Sequence, residues 1–435
     1  MKIAIIGTGY VGLPSGVGFA ELGNDVCCID KDKTKIQKLQ NGQLTLFEDG
    51  LEDLFKRNVA EGRLRFTSSM AEGVAGAEVV ILAVGTPPHP VTKAADLQYI
   101  EAAADEAAKY LQDYTVVAVK STVPVETGDK IENIMHNANP RADFDVISLP
   151  EFLREGFAIH DFFAPDRIVV GTDSPRAKAV IEKLYEPFTE TKKLFVSRRS
   201  SETIKYASNA FLAMKINYIN EMANFCEKSG ANIEEVAKGM GLDSRIGNRF
   251  LRAGPGFGGS CFPKDTQAMA FMARKYGIAM PLIETTIAEN EERHSLIAER
   301  IIEMSGEENP QIAVLGLAFK DGTDDCRTSP AVKIVRELLK NKARIYAYDP
   351  KATETARLLL GDEREMYFAE NAYEAVKCAH EVVILTEWKE FAELDWQKIS
   401  GLVKNKVIMD CRNILNGSEM RKLGFVYHCI GCKSK

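Results

Sequence analysis

The sequence predicts an α/β protein with two doubly wound sheets, joined by a long central helix and a helical middle domain. Three observations carry this. Short apolar runs alternate with helical patterns from residue 2 to residue 171. Strand signals then vanish between about 200 and 276, where apolar residues recur at helical spacing. The alternation restarts at Gln311, where QIAVLG echoes the opening KIAIIG.

Residues 2–6 (KIAII) read as a short buried strand, 12–22 as a helix and 25–30 (DVCCID) as a second strand, which together make a βαβ unit. Further strands are expected at 78–84, 115–120, 144–148 and 167–171, separated by helical patterns such as 97–111. Such alternation implies a parallel sheet covered on both faces. In the middle section one long helix is closed by Gly230, and Asn232 can N-cap the next. The second repeat has a helix at 331–340, a strand ending in Asp349, and later strands at 381–386 and 406–410. The domains expected are 1–198, 199–300 and 301–435.

The 435 residues are 45% hydrophobic and 27% charged, an ordinary globular balance that excludes disorder over any long stretch. The net charge is −7 and the basic residues are scattered, so no footprint for a nucleic-acid backbone is visible. The chain reaches glycine after six residues, too soon for a secretory apolar core, and no apolar run approaches the ~20 residues of a membrane span. A cytoplasmic location is expected. Nine irregularly spaced cysteines, including the adjacent Cys27 and Cys28, do not form a disulfide framework, so reduced thiols are expected. Cys429 and Cys432 make a lone C-x-x-C beside His428. With no second ligand pair nearby, no metal is expected there.

Gly7-Thr8-Gly9-Tyr10-Val11-Gly12 follows a strand and opens a helix, where glycines allow a tight turn and backbone N–H groups can approach a pyrophosphate. Asp30 ends the second strand at the offset of the carboxylate that binds adenosine ribose hydroxyls. It favours NAD over NADP, whose 2′-phosphate it would repel. Lys31, Lys33 and Lys35 weigh the other way, unless they are a solvated helix start. Gly85-Thr86-Pro87 and Ser121-Thr122-Val123-Pro124 each follow a strand, at the carboxyl edge where open α/β sheets bind ligands; the alternative is two ordinary turns. In the second repeat Gly316 is followed by Leu-Ala-Phe-Lys, so that sheet is not expected to hold a dinucleotide.

The sharpest segment is GPGFGGSCFPKD (254–265), a glycine-rich loop running into a helix with Pro263 in its first turn. A cysteine just before a helix N-terminus has its thiolate favoured by the macrodipole, and Lys264 adds positive charge, so Cys261 is the thiol with a reason to react. A small buried cysteine is the better reading of Cys226, Cys326, Cys378 and Cys411. Asp265 lies about one turn on and can be a base, an orienting group or a dipole partner. Lys205 and Asn209 stand at i and i+4 and can present donors to one point. Glu151 and Glu155 also stand at i and i+4, a spacing whose usual meaning is surface charge.

Taken together, GTGYVGL, AVGTP, KSTVP, PEFLREGFAIHDFFAPDRIVVG, IKYASNAFLAMKI, DSRIGNRFL, GPGFGGSCFPKD, GLAFKDGTDD and RTSPA resemble the UDP-glucose 6-dehydrogenase family over nearly the whole chain and in family order. The resemblance implies two Rossmann-like domains around a helical middle, and a twofold NAD-dependent oxidation of UDP-glucose to UDP-glucuronate with Cys261 as nucleophile. It implies that Lys205 and Asn209 stabilise an oxyanion, that Asp265 with Thr122 and a water assists deprotonation of the sugar hydroxyl, and that Glu155 is the base for thioester hydrolysis. Glu151, Phe152, Leu153, Arg154, Glu155 and Lys205 would lie at the substrate. Phe250, Leu251, Arg252, Ala253 and Gly254, with Gly258 and Lys320, would hold the UDP part. Arg245 would reach in from a neighbouring subunit, which makes the protein a homodimer with the long helix as its core. Gly7, Gly9, Tyr10, Val11, Gly12, Asp30, Lys35, Thr86, Thr122, Glu155, Lys264 and Arg327 would contact the cofactor.

Departures from the family pattern are Asp49, Glu126, Leu149, Asp321, Cys326 and Thr328, none of them a proposed catalytic group. The alternatives are the same chemistry on GDP-mannose or a UDP-N-acetylhexosamine, a single-step hydroxy-acid dehydrogenase that needs no Cys261, and an NAD-binding redox regulator.

Overall fold

The computed structural model describes residues 1–361 and 363–432. The chain divides into two compact units, Met1–Ser208 and Asn209–Lys435. The division falls inside an unbroken central helix, Arg198–Ser229.

The first unit is built on eight strands: β1 (Lys2–Ile6), β2 (Asp25–Ile29), β3 (Leu64–Thr67), β4 (Val79–Leu82), β5 (Thr115–Val119), β6 (Phe144–Ser148), β7 (Ile168–Gly171) and β8 (Lys193–Val196). Their order is β3-β2-β1-β4-β5-β6-β7-β8. Alternate residues of β1 enter opposite cores: Ile3 and Ile5 pack on one face, Ala4 and Ile6 on the other. Cover on both faces is why these strands read as continuous apolar runs rather than alternating ones. The expected parallel sheet needs one correction, because β7 runs antiparallel to β6 through the single pair Ser148–Gly171, while β8 is parallel to β7. Ser201 of the central helix closes on this junction, since a Cβ on Gly171 would lie 2.5 Å from its Cβ.

The second unit carries β9 (Gln311–Leu315), β10 (Arg344–Tyr348), β11 (Met366–Phe368), β12 (Glu381–Ile384), β13 (Val407–Asp410) and β14 (Val426–Cys429), in the order β11-β10-β9-β12-β13-β14. Counted from the first strand of each sheet, both follow the order 3-2-1-4-5-6, which is the doubly wound arrangement with its switch point beside strand one. The two differ at one carboxylate. Asp349, the counterpart of Asp30, is 3% exposed and accepts from Leu317 N, Ala318 N and Trp388 Nε1 on one oxygen, and from Lys351 N and Ala352 N on the other. A carboxylate bonded in this way to its own chain is not presented to a ribose.

The middle of the chain is helical at Ile233–Gly241, Phe262–Lys275 and Pro281–Ser305. Asn232 caps the first of these through Glu234 N and Glu235 N. The tail is held down: Gly431 N donates to Glu227 Oε1 at 2.7 Å, and Ile233 N donates to Gly431 O. Cys226, Cys326 and Cys411 are buried as expected, but Cys378 is exposed, because it sits at φ +61° in a turn outside the core. Among the described residues, no helix is long and apolar enough to cross a membrane.

Candidate active site

In the first unit, Gly7 leaves β1 at φ +105°, and a Cβ there would lie 2.5 Å from Ala83 O; a Cβ on Gly12 would lie 1.9 Å from Gly7 O. The fold itself demands both glycines. Gly9 differs, having open space where its Cβ would be. Gly9, Tyr10 and Val11 stay partly exposed, and the helix Gly12–Glu21 starts with no side-chain cap and no acidic residue in its first turn. Its positive end is therefore left to an external anion. Asp30 Oδ2 accepts from Thr8 N (3.0 Å) and Thr8 Oγ1 (2.7 Å), Oδ1 accepts from Asp32 N, and Lys35 Nζ stands 3.6 Å away. Burial opposes ionisation of Asp30, but these bonds and Lys35 outweigh it and hold the carboxyl below its usual range. An oriented carboxylate beside an open glycine turn suits a dinucleotide with free ribose hydroxyls.

Thr86 and Thr122 are brought together, since Thr86 Oγ1 donates to Thr122 O at 2.8 Å. Lys205 Nζ donates to Glu151 O (2.8 Å) and Glu151 Oε1 (2.9 Å), both side chains being 5% exposed. The other Glu151 oxygen accepts from Leu153 N at 2.6 Å, and the Lys205 ammonium lies 5.3 Å from the Phe152 ring centre. Residues 151–154 are irregular backbone rather than helix, so Glu151 and Glu155 do not share a helical face, and Glu151 is buried rather than part of a charged surface. Burial alone would raise Glu151, yet Lys205 and then Lys120 keep it below the ordinary carboxylate range. Lys120, which sequence reasoning missed, is pulled down to about 8 by burial, with Glu151 acting against the shift and Lys205 adding to it. Its place at the carboxyl end of β5, just before Ser121-Thr122, was the available signal. Glu155 is partly buried in a stretch tied down by Glu48, which accepts from Gly156 N and Ala158 N. Arg154 turns to Asp161 with two bonds of 2.8 and 2.5 Å.

In the second unit, Cys261 is the N-cap residue of the helix Phe262–Lys275; it is partly exposed, and Ser260 Oγ lies 3.6 Å from its sulfur. Asp265 N closes the first turn onto Cys261 O at 2.8 Å. The Asp265 carboxylate is 0% exposed and held at both ends, by Asn209 Nδ2 at 2.6 Å and Lys264 Nζ at 2.5 Å. Asn209 stands one turn beyond Lys205 on the unbroken central helix, as their spacing predicts.

The loop before the thiol is buried from residue 253 to 259. Phe250 adopts φ +64°, and its ring and that of Phe257 pack on Phe262 at 5.9 and 6.2 Å. Leu251 and Ala253 are buried, while Arg252 is exposed and donates to Arg412 O at 2.8 Å. Arg412 in turn donates to Phe319 O, next to the partly buried Lys320. Gly258 admits no side chain, since a Cβ would sit 2.5 Å from Thr328 O. Thr328, one of the departures, adopts φ +49° and donates its hydroxyl to Gly259 O at 2.6 Å. Arg327 is engaged twice by Asp325, at 2.9 and 2.8 Å. Arg245 is on the surface, its side chain 87% exposed and paired with Asp243. The predicted residues thus gather into a glycine turn with Asp30, a buried Lys205–Glu151 pair and a thiol loop with Asn209 and Asp265, whereas Arg245 joins none of them in its own chain.

Residues 1–189 match the NAD binding domain of the UDP-glucose/GDP-mannose dehydrogenase family, 199–292 its central domain and 313–417 its UDP binding domain. A UDP-glucose 6-dehydrogenase of Rhizobium meliloti (strain 1021) is 50% identical over 437 residues, covering 99% of both chains. The solved UDP-glucose dehydrogenase of the hyperthermophilic archaeon Pyrobaculum islandicum superposes with a TM-score of 0.91 at 37% identity, covering 99% of this chain and 97% of its own. A UDP-D-ManNAc dehydrogenase from Pyrococcus horikoshii superposes at 0.87 with 28% identity, over the full length of both. On the glycine turn with its carboxylate, the thiol loop and these full-length matches, the chain belongs to the UDP-glucose/GDP-mannose dehydrogenases, an NAD-dependent oxidoreductase family.

Proposed function

We propose that this protein is a cytoplasmic UDP-glucose 6-dehydrogenase, which oxidises the sugar 6-hydroxyl twice and releases UDP-glucuronate. The observation that carries the chemistry is Cys261 at a helix N-terminus, one turn from a buried Asp265 held by Asn209 and Lys264. Substrate identity is supported by 50% identity to a UDP-glucose 6-dehydrogenase over the whole chain. The Gly7–Gly12 turn and Asp30 would hold NAD, which would supply the hydride acceptor for each oxidation.

The protein's own groups do the rest. Asp265, together with Thr122 and a water, assists removal of the hydroxyl proton as the alcohol becomes an aldehyde. The Cys261 thiolate, favoured by the helix N-terminus, adds to the aldehyde carbon, and Lys205 and Asn209 donate to the oxyanion that forms. Loss of the second hydride leaves a thioester, which water activated by Glu155 hydrolyses to the carboxylate and the free thiol. Lys205 is suited to this role because its ammonium is fixed by Glu151 before the oxyanion develops. Lys264 and Arg327 would complete the cofactor contacts, and residues 250–254 with Gly258 and Lys320 would hold the UDP part. Arg245, exposed in its own chain, is available to a second copy in a homodimer.

The test is NADH formed per sugar consumed, with limiting UDP-glucose and excess NAD. Two per sugar is expected, together with loss of acid formation in Cys261→Ser. One per sugar would refute the twofold oxidation. None would move the substrate to another sugar nucleotide, such as an N-acetylhexosamine, and full turnover by Cys261→Ser would remove the thiol mechanism.

A further inference from the structure

Behind the thiol loop stand three buried polar side chains that the chemistry above does not use. Asn220 of the central helix is 2% exposed, and its Oδ1 accepts from Gly254 N at 2.9 Å. Arg293, on the helix Pro281–Ser305, is 7% exposed and donates from Nε to Gly254 O at 2.6 Å. Asn290, one turn earlier on the same helix and 2% exposed, pairs with both backbone groups of Phe257: its Oδ1 accepts from Phe257 N at 2.8 Å, and its Nδ2 donates to Phe257 O at 3.1 Å.

Buried polar side chains weaken a core unless something they bond requires them, and leucines would pack these two helices as well. What leucines could not supply is partners for a loop that is buried yet has neither sheet nor helix to bond with. The Asn290–Phe257 pair acts like one rung of a sheet, setting both the position and the orientation of that peptide. It leaves no room beside it: a Cβ on Gly256, at φ +118°, would lie 2.7 Å from Asn290 Oδ1. Three residues separate Phe257 from Cys261, and Gly259 between them is pinned by Thr328. The bonds from Asn290 at Phe257 and from Thr328 at Gly259 together set the path of the backbone that leads to the sulfur.

We infer that Asn220, Asn290 and Arg293 are positioning residues which set the loop backbone, Asn290 for the thiol and the other two for the substrate side of the loop at Gly254. The inference rests on the reading of Cys261 as nucleophile, but its test separates the two. In the full-length protein, Asn290→Leu keeps the number and branching of the side-chain heavy atoms and removes both bonds. Three quantities are read well below its melting temperature: kcat, KM for UDP-glucose, and the iodoacetamide alkylation rate of Cys261 relative to the exposed Cys378, resolved by peptide mass spectrometry.

The expected result is a kcat lower by about 10²-fold, the order that a displacement of ~1 Å produces. KM should move by less than about threefold, and the Cys261-to-Cys378 alkylation ratio and its pH profile should be altered. Arg293→Lys, which keeps the charge but withdraws the planar donor from Gly254 O, should raise KM more than it lowers kcat, and it carries the test if Asn290→Leu does not fold. A folded variant with a lower melting temperature but wild-type kcat, KM and alkylation ratio would overturn the inference. Because alkylation needs no turnover, an active Cys261→Ser would sink the nucleophile and leave the loop-positioning result standing.

Discussion

His294 makes the stability of the second unit depend on pH, and the structure gives the size of the effect. The side chain is 2% exposed on the helix Pro281–Ser305, neither ring nitrogen has a hydrogen-bond partner among the described residues, and a Cβ on Gly256 would lie 3.0 Å from its Nε2. Its charged neighbours are Arg293, Lys333 and Glu291, the last 4.0 Å away and itself bonded to Lys333. Burial first, then the fields of Lys333 and Arg293, pull the imidazole from 6.5 down to about 3. The folded protein thus refuses a proton that the unfolded chain takes up below 6.5, so stability is complete above that pH and is lost progressively as pH falls toward 3. At pH 5 the unfolded group lies about 1.5 pH units below its pKa, which at ~1.4 kcal/mol per unit amounts to about 2 kcal/mol.

His294→Leu removes this dependence. Denaturation is followed by tryptophan fluorescence, which reports on the second unit because Trp388 and Trp396 both lie there. The wild type should lose about 2 kcal/mol more between pH 7 and pH 5 than His294→Leu does. Equal losses would refute the buried neutral imidazole.

Two further outcomes follow from the glycines and from one strained residue. Gly9→Ala, whose Cβ meets nothing within 4 Å, should leave the melting temperature unchanged and raise KM for NAD at least tenfold, whereas Gly12→Ala, whose Cβ would meet Gly7 O at 1.9 Å, should destabilise the unit itself; equal melting temperatures for the two variants would contradict the geometry. Glu126 holds φ +76° at the N-terminus of the helix Thr127–Ala138, so Glu126→Gly should relieve roughly 1–2 kcal/mol of left-handed strain and lose an exposed Arg199 ion pair worth less than ~1, a net gain visible as a higher melting temperature; no gain would mean that the strain is relieved some other way.

Much of the first unit was legible because β1, β2, β4 and β5 are covered on both faces, and a strand so covered leaves a run such as VVIL that nothing polar interrupts. The short strands β3, β8 and β14 were not legible: LRFT, KLFV and VYHC each mix polar with apolar residues and take their register from neighbours far away in sequence. Nor could sequence show the reversal at β7, which is a single antiparallel pair, Ser148–Gly171, between segments distant in sequence. In the site, the glycine turn was readable because local backbone geometry restricts its residue types, and the position of Cys261 at a helix start was readable from Pro263 in the first turn. The i, i+4 spacing of Glu151 and Glu155 pointed by itself to surface charge because such a carboxylate pair has the same sequence pattern on a solvated surface as in irregular buried backbone. Asn290, Arg293 and His294 were hidden for a related reason, since a polar stripe on an amphipathic helix gives no sign that a loop, rather than water, lies against it.

The central helix spans 32 residues without interruption and carries Lys205 and Asn209 four positions apart. A helix turns about 100° per residue, so inserting or deleting one residue between these two would swing Asn209 and everything after it a quarter-turn or more off the shared face. Substitutions along the exposed side of this segment leave that phase intact, but a change of length cannot be absorbed locally as it is in a loop. Gene variants of this protein should therefore tolerate many side-chain changes between 198 and 229 and almost no single-residue insertions or deletions, a pattern that a deep insertion scan would record as a gap aligned with the helix.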